Sequence, residues 1–201
     1  MQHKTADSHA RSPLLSDTDV TRDDLNFRRI DMRGFRRSDG YFDLVGRVTD
    51  RKAQDFSPRS GEKFVPANEP IHDMGVRLVY DENLTVLDIQ SFTDASPYAH
   101  CALGGQGLRT LIGERMTNGW TKTVRSRLGG NRSCTHLMEI LIPMATAAHQ
   151  SLSLINRKKP ERRDAHGRPL KIDSCYAYGA HQELTKKLWP EFHQPLPPAE
   201  G

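Results

Sequence analysis

The sequence predicts an α+β fold: an antiparallel sheet with helices packed on one face. Three observations carry that expectation. Residues 28–92 alternate apolar and polar side chains with period two. From Pro97 onward the apolar spacing changes to three and four. Asp39-Gly40 and Asp81-Glu82-Asn83 supply turn chemistry between successive strands. Strands first and helices second is the order of an α+β domain.

The elements follow in sequence. Residues 28–37 and 41–50 form two strands joined at Ser38-Asp39-Gly40, with Phe42, Leu44 and Val48 on one face. Residues 51–70, which hold Pro58, Gly61, Pro66 and Pro70, are loop. In the next hairpin Met74, Val76, Leu78 and Tyr80 alternate with Gly75, Arg77 and Val79, and 84–92 returns with Val86, Leu87 and Ile89 available for packing. A bend at Gly104-Gly105 precedes helical spacing at Leu108, Leu111, Ile112 and Arg115. Residues 120–128 suit a second short helix. A long helix starts near Ser133, whose hydroxyl is a suitable N-cap, and runs to about residue 155, with a kink at Pro143. Its buried stripe is Leu137, Ile140, Leu141, Met144, Ala148 and Leu152. A last strand is expected over 170–178.

Polar, patternless residues 1–26 read as a disordered or extended tail. Residues 27–156 form the domain, 157–169 a charged linker, and 170–201 an extension that returns to the domain. The chain has 201 residues, of which 36% are hydrophobic. Setting the tail and linker aside leaves about 150 residues, enough for an independent core.

Charge and apolar content exclude two function classes. The net charge is +4, from 29 basic and 25 acidic residues. The basic clusters at Arg36-Arg37 and Arg157–Arg163 lack the interleaved aromatics of a nucleic-acid surface. The longest apolar stretch, 140–148, is interrupted by Pro143 and Thr146, so no membrane span is expected. Three cysteines and no N-terminal apolar segment suggest a cytoplasmic protein with reduced thiols.

The chemistry gathers on short stretches: His72-Asp73, His100-Cys101 and Cys134-Thr135-His136. A hairpin brings its two outer ends side by side, so His72 and Asp73 can meet Cys101 at one sheet edge. The long helix can bring its N-terminus there, where partial positive charge favours a Cys134 thiolate. Cys101, Cys134, His136 and His72 are the candidate metal ligands. Asp73 or His72 is the fourth ligand or general base. Zinc or a mononuclear iron fits this mixed set better than a cluster does. His100 could replace His72, and Cys175 could complete the set. Read singly, each has a blander explanation: Cys134 as a small buried hydrophobe, His136 as a helix-start hydrogen bonder, His72-Asp73 as a local turn pair. Arg36, Arg37 and Asp39 could hold a carboxylate or phosphate, or simply make a charged hairpin turn.

Arg37-Ser38-Asp39-Gly40, His72-Asp73-Met74, Pro97-Tyr98 with Cys101, and Cys134-Thr135-His136-Leu137 together resemble the bacterial family of unknown function DUF2889 over about residues 28–180. The resemblance implies a shared fold and no activity. More distantly, 73–92 with Cys101 and a helix opened by Cys134 resembles the iron–sulfur scaffold proteins of the IscU/NifU type, which implies an IscU-like arrangement. Ile71 stands where that scaffold has its first cysteine, which leaves two thiolates.

The expected function is that of a cytoplasmic metalloprotein enzyme acting on a small organic substrate, by hydrolase or lyase chemistry. The alternatives are a metal-free enzyme built on Cys134, His72 or His136 and Asp73, and a carrier of iron, sulfur or metal. No nucleic-acid or membrane partner is expected, and self-association is left open.

Overall fold

The computed structural model describes residues 21–61, 63–157 and 159–195. The predicted tail falls mostly outside them, and residues 21–26 are exposed coil. The chain divides into two compact units, residues 1–149 and 150–201.

The first unit is built on four antiparallel strands in the order β1-β2-β3-β4. These are β1 (Phe27–Arg36), β2 (Phe42–Arg51), β3 (Pro70–Tyr80) and β4 (Val86–Ala95). The register pairs Val48 with Met74, Leu44 with Leu78, and Phe42 with Tyr80. One face therefore carries Phe42, Leu44, Val48, Met74, Val76, Leu78 and Tyr80, all buried. The opposite face carries charge: Asp43 binds Arg77 and Arg37, and Asp73 binds Arg47.

Strand β3 begins at Pro70, earlier than the period-two pattern suggests. His72 and Asp73 are thus strand residues on opposite faces, rather than loop residues before the strand. In β4, Val86 and Ile89 are buried as expected, whereas Leu87 is exposed.

Helices α1 (Trp120–Leu128) and α2 (Thr135–Asn156) follow. The expected stripe of α2 is buried, from Leu137 through Ile140, Leu141, Met144 and Ala148 to Leu152. Each of its leucine, isoleucine and methionine side chains contributes about 1.5–3 kcal/mol on leaving water. Close approach to the sheet needs Gly46: a Cβ there would meet Met144 Sδ at 2.9 Å. The Trp120 indole N–H donates to the Leu141 carbonyl at 2.8 Å and ties α1 to α2.

Two local expectations are corrected. Ala99–Leu111 is a succession of 3₁₀ turns rather than a helix beginning near Leu108. Three glycines in this stretch weaken α-helical propensity, and i, i+3 spacing still buries Leu108 and Leu111. Ser133 does not cap α2, because its hydroxyl donates to the Gly104 carbonyl at 2.8 Å.

The second unit holds α3 (Glu183–Leu188) and a small cluster of Ile172, Ala180 and Trp189 with Tyr178 and Phe192. The strand expected over 170–178 is absent. Asp173 adopts φ 65° and its carboxylate accepts the Ala180 N–H at 2.9 Å, which bends the chain into turns. Among the described residues, no helix is long and apolar enough to cross a membrane.

Candidate functional site

The inward face of the sheet ends in polar residues. Register places Arg28 of β1 opposite Asp50 of β2, and Asp50 opposite His72 of β3. These three lie in one row, just beyond Val48 and Met74. Asp50 is 5% exposed, so its carboxylate needs partners. Arg28 grips it with two bonds, Nε to Oδ1 at 2.7 Å and Nη2 to Oδ2 at 2.9 Å. Another Arg28 nitrogen lies 3.4 Å from Glu139 on α2. His72 Nδ1 lies 3.2 Å from Asp50 Oδ2.

The fourth member descends from α2. His136 sits in the helix's first turn, with Nε2 3.5 Å from the same Asp50 Oδ2. Its ring lies on that of His72, with centroids 3.9 Å apart and planes 33° apart. One ligand atom each from Asp50, His72 and His136 form a group whose members all lie within 4.8 Å.

Cys134 is the residue immediately before α2. Its Sγ lies 3.9 Å from His136 Nδ1 and 3.7 Å from Met74 Sδ. The backbone N–H groups of Leu137 and His136, at the start of the helix, favour negative charge on the sulfur. Gly104 allows this seat: a Cβ there would fall 2.7 Å from the Cys134 nitrogen and 2.8 Å from its Cβ.

Electrostatics sorts the groups. Burial pushes the Asp50 carboxyl up, but Arg28's hydrogen bonds and charge, with both imidazoles, bring it below the usual carboxylate range. Burial lowers the His72 pKa, and the neighbouring His136 lowers it further against the pull of Asp50. His136 moves up, chiefly through Cys134, against its own burial. Burial raises the Cys134 thiol, but the His136 contact and the two backbone N–H groups outweigh it, so the pKa falls.

A cavity of about 900 Å³ opens beside this cluster. Its walls include His72, His100, Cys101, Cys134 and His136, so these five sequence-derived candidates line one space. The compact group is nevertheless narrower than the expected set. His72 and His136 belong to it, and Cys134 touches it through the second nitrogen of His136. Cys101 and His100 line the cavity outside it. Asp73 lies on the other sheet face, where Arg47 binds both its oxygens. Cys175 is exposed in the second unit. Arg37 is bound to Asp39 and Asp43, which makes the first hairpin turn a self-satisfied charge cluster.

Sequence reading missed Asp50 and Arg28. The signal for Asp50 was there: it continues the period-two face of Phe42, Leu44 and Val48, so a carboxylate stands where the pattern asks for an apolar residue. Arg28 has no comparable signal, because it becomes special only through its register with Asp50.

No curated protein and no solved structure matches the chain. A family model does match over residues 26–150, which contain the whole sheet and every member of the site. It is described as a protein of unknown function (DUF2889), and the chain belongs to that family.

Proposed function

We propose that this protein is a metal-dependent enzyme acting on a small organic substrate, with zinc or iron held by His72 Nδ1, His136 Nε2 and Asp50 Oδ2. One observation carries the reading: two imidazole nitrogens address the same carboxylate oxygen at 3.2 and 3.5 Å. With bonds of about 2.0–2.1 Å, tetrahedral ligands stand about 3.3 Å apart. The two edges at Asp50 Oδ2 therefore suit a metal, and the whole group lies within 4.8 Å. Two histidines and one carboxylate are a set used by both catalytic zinc and non-haem iron. Such a cation would supply Lewis acidity and activate a water near neutral pH.

The protein's own groups supply the rest. Arg28 orients the carboxylate from behind, and Cys134 fixes the His136 ring through its other nitrogen. The adjoining cavity offers Tyr98 and Leu103 as apolar wall and Gln106, Asn131 and Ser133 as polar wall for a small substrate. The cytoplasm, a reducing compartment, suits the three free cysteines.

A second reading rests on a different observation. Cys134, His136 and Asp50 stand in line, with sulfur 3.9 Å from one imidazole nitrogen and carboxylate 3.5 Å from the other. That is the order of a nucleophile, base and orienting acid, at the looser spacing of a site without substrate. Elemental analysis of protein purified without an affinity tag separates the two. About one equivalent of zinc or iron, lost in His72→Ala and kept in Cys134→Ser, supports the metal enzyme. Metal-free protein whose Cys134 alkylates rapidly at neutral pH supports the thiol enzyme.

A further inference from the structure

The two edges of the sheet differ. Beside β4, Val86 exchanges hydrogen bonds with Gly113 and Glu114, and the 3₁₀ segment lies alongside. At the other edge, β1 is terminal in the strand order and has no further strand neighbour among the described residues. It pairs with β2 over its whole length without a bulge and contains no proline. Ile30 is 47% exposed and Phe35 49%. A long edge without a bulge, unpaired among the described residues and carrying apolar side chains, invites another strand.

We propose that this edge pairs with β1 of a second copy, antiparallel about a two-fold axis through Met32. The sequence of the strand selects this register. A continuous sheet keeps each copy's helix-covered face on the same side, so directly opposed residues must share a face. With Met32 opposite its own copy, Asp31 faces Arg33 twice, Arg29 faces Phe35 twice, and Ile30 lies over Gly34. Moving the axis to Asp31 sets Asp31 against itself and Arg29 against Arg33. Moving it to Arg33 sets Arg33 against itself. Opposed like charges disfavour both. An axis at Ile30 restores opposite charges but shortens the overlap, because β1 starts at Phe27. In the single chain Asp31 is bridged to Arg29, while Arg33 makes no ion pair among the described residues, which leaves it available to the partner's carboxylate. Arg28, on the strand's other face, stays engaged with Asp50.

Sedimentation velocity on the full chain tests the association, and charge exchange tests the register. A dimer at micromolar concentration is expected. Arg33→Asp should weaken it at least about tenfold, and Asp31→Arg with Arg33→Asp should restore it to within about threefold. Circular dichroism and melting of each variant report whether the fold is intact. Met32→Cys should form an intermolecular disulfide on mild oxidation, located at position 32 in both copies by peptide mapping, whereas Asp31→Cys and Arg33→Cys should not link to themselves. The proposal is overturned by a monomer at all concentrations, by self-linking at 31 or 33 in place of 32, or by a dimer indifferent to the charge exchange. It is also overturned if dimers appear only after residues 1–20 are removed, since the chain's own segment would then occupy the edge.

Discussion

His72 and His136 lie ring on ring at 3.9 Å, one from a strand and one from a helix, and both turn a nitrogen to the same oxygen of Asp50. Two stacked imidazoles sharing one carboxylate oxygen cannot both carry a proton cheaply. His136 adds to the burial that lowers the His72 pKa. Under the proposed reading, a cation would relieve the arrangement by taking the place between all three.

Asp50→Asn and His72→Ala should each lower zinc affinity by at least a hundredfold in isothermal titration. Asp50→Asn should also cost stability, because Arg28 loses its ionic partner. Arg28 is partly exposed, so the expected loss is about 1–2 kcal/mol rather than that of a fully buried pair. Unchanged zinc binding in both variants would remove this triad as the metal site.

Asp73 should be separable from the metal. Its carboxylate is bound to Arg47 on the opposite face of the sheet. Asp73→Asn should leave zinc titration and any turnover within about threefold of wild type and lower stability by about 1 kcal/mol, as for a partly exposed pair. A large loss of metal or turnover would show that this face reaches the chemistry.

Gly104→Ala and Gly46→Ala test close approach at two places. At Gly104 the added Cβ meets the Cys134 backbone nitrogen, which cannot step aside, and the start of α2 must shift. The expected cost is about 1–3 kcal/mol, with weaker metal binding because His136 moves too. At Gly46 the obstacle is the end of the Met144 side chain, which can change rotamer, so the cost should stay below about 1 kcal/mol. Equal costs from thermal melts would mean that the α2 start is more yielding than its contacts suggest.

Asp173 should make the second unit acid-sensitive. The Ala180 N–H and then Arg168 hold its carboxyl below the usual range. The unfolded chain takes up the proton first, near pH 4, so the contribution is complete above that pH and is lost as pH falls through the folded value. Asp173→Asn should flatten that dependence, read by hydrogen exchange over 170–195 between pH 6 and 3. A dependence that survives the substitution would assign it to another group.

Pattern made the sheet and the long helix legible. Met74, Val76, Leu78 and Tyr80 alternate without a break, and the α2 stripe keeps its three-and-four spacing from Leu137 to Leu152. What escaped was decided by single local contacts. Ser133 looks like a cap until Gly104 offers a carbonyl, and 170–178 looks like a strand until Asp173 takes the Ala180 N–H. The site was legible by type and partly by position. His72, Cys134 and His136 were found because imidazole and thiol stand out in a sparse background. Asp50 hid among 25 acidic residues and shows its role only through alternation, while Arg28 shows it only through register.

Arg28, Asp50 and His72 sit on three successive strands, and His136 arrives from the far side of the 3₁₀ segment and α1. The four are brought together only after β1 and β3 have both paired with β2 in register and the long helix has docked. A one-residue slip in either pairing would turn a member of the row to the wrong face. Whatever binds this cluster therefore recognises finished chains and passes over incomplete ones. Its concentration would set how strongly the folded population is held against the rest.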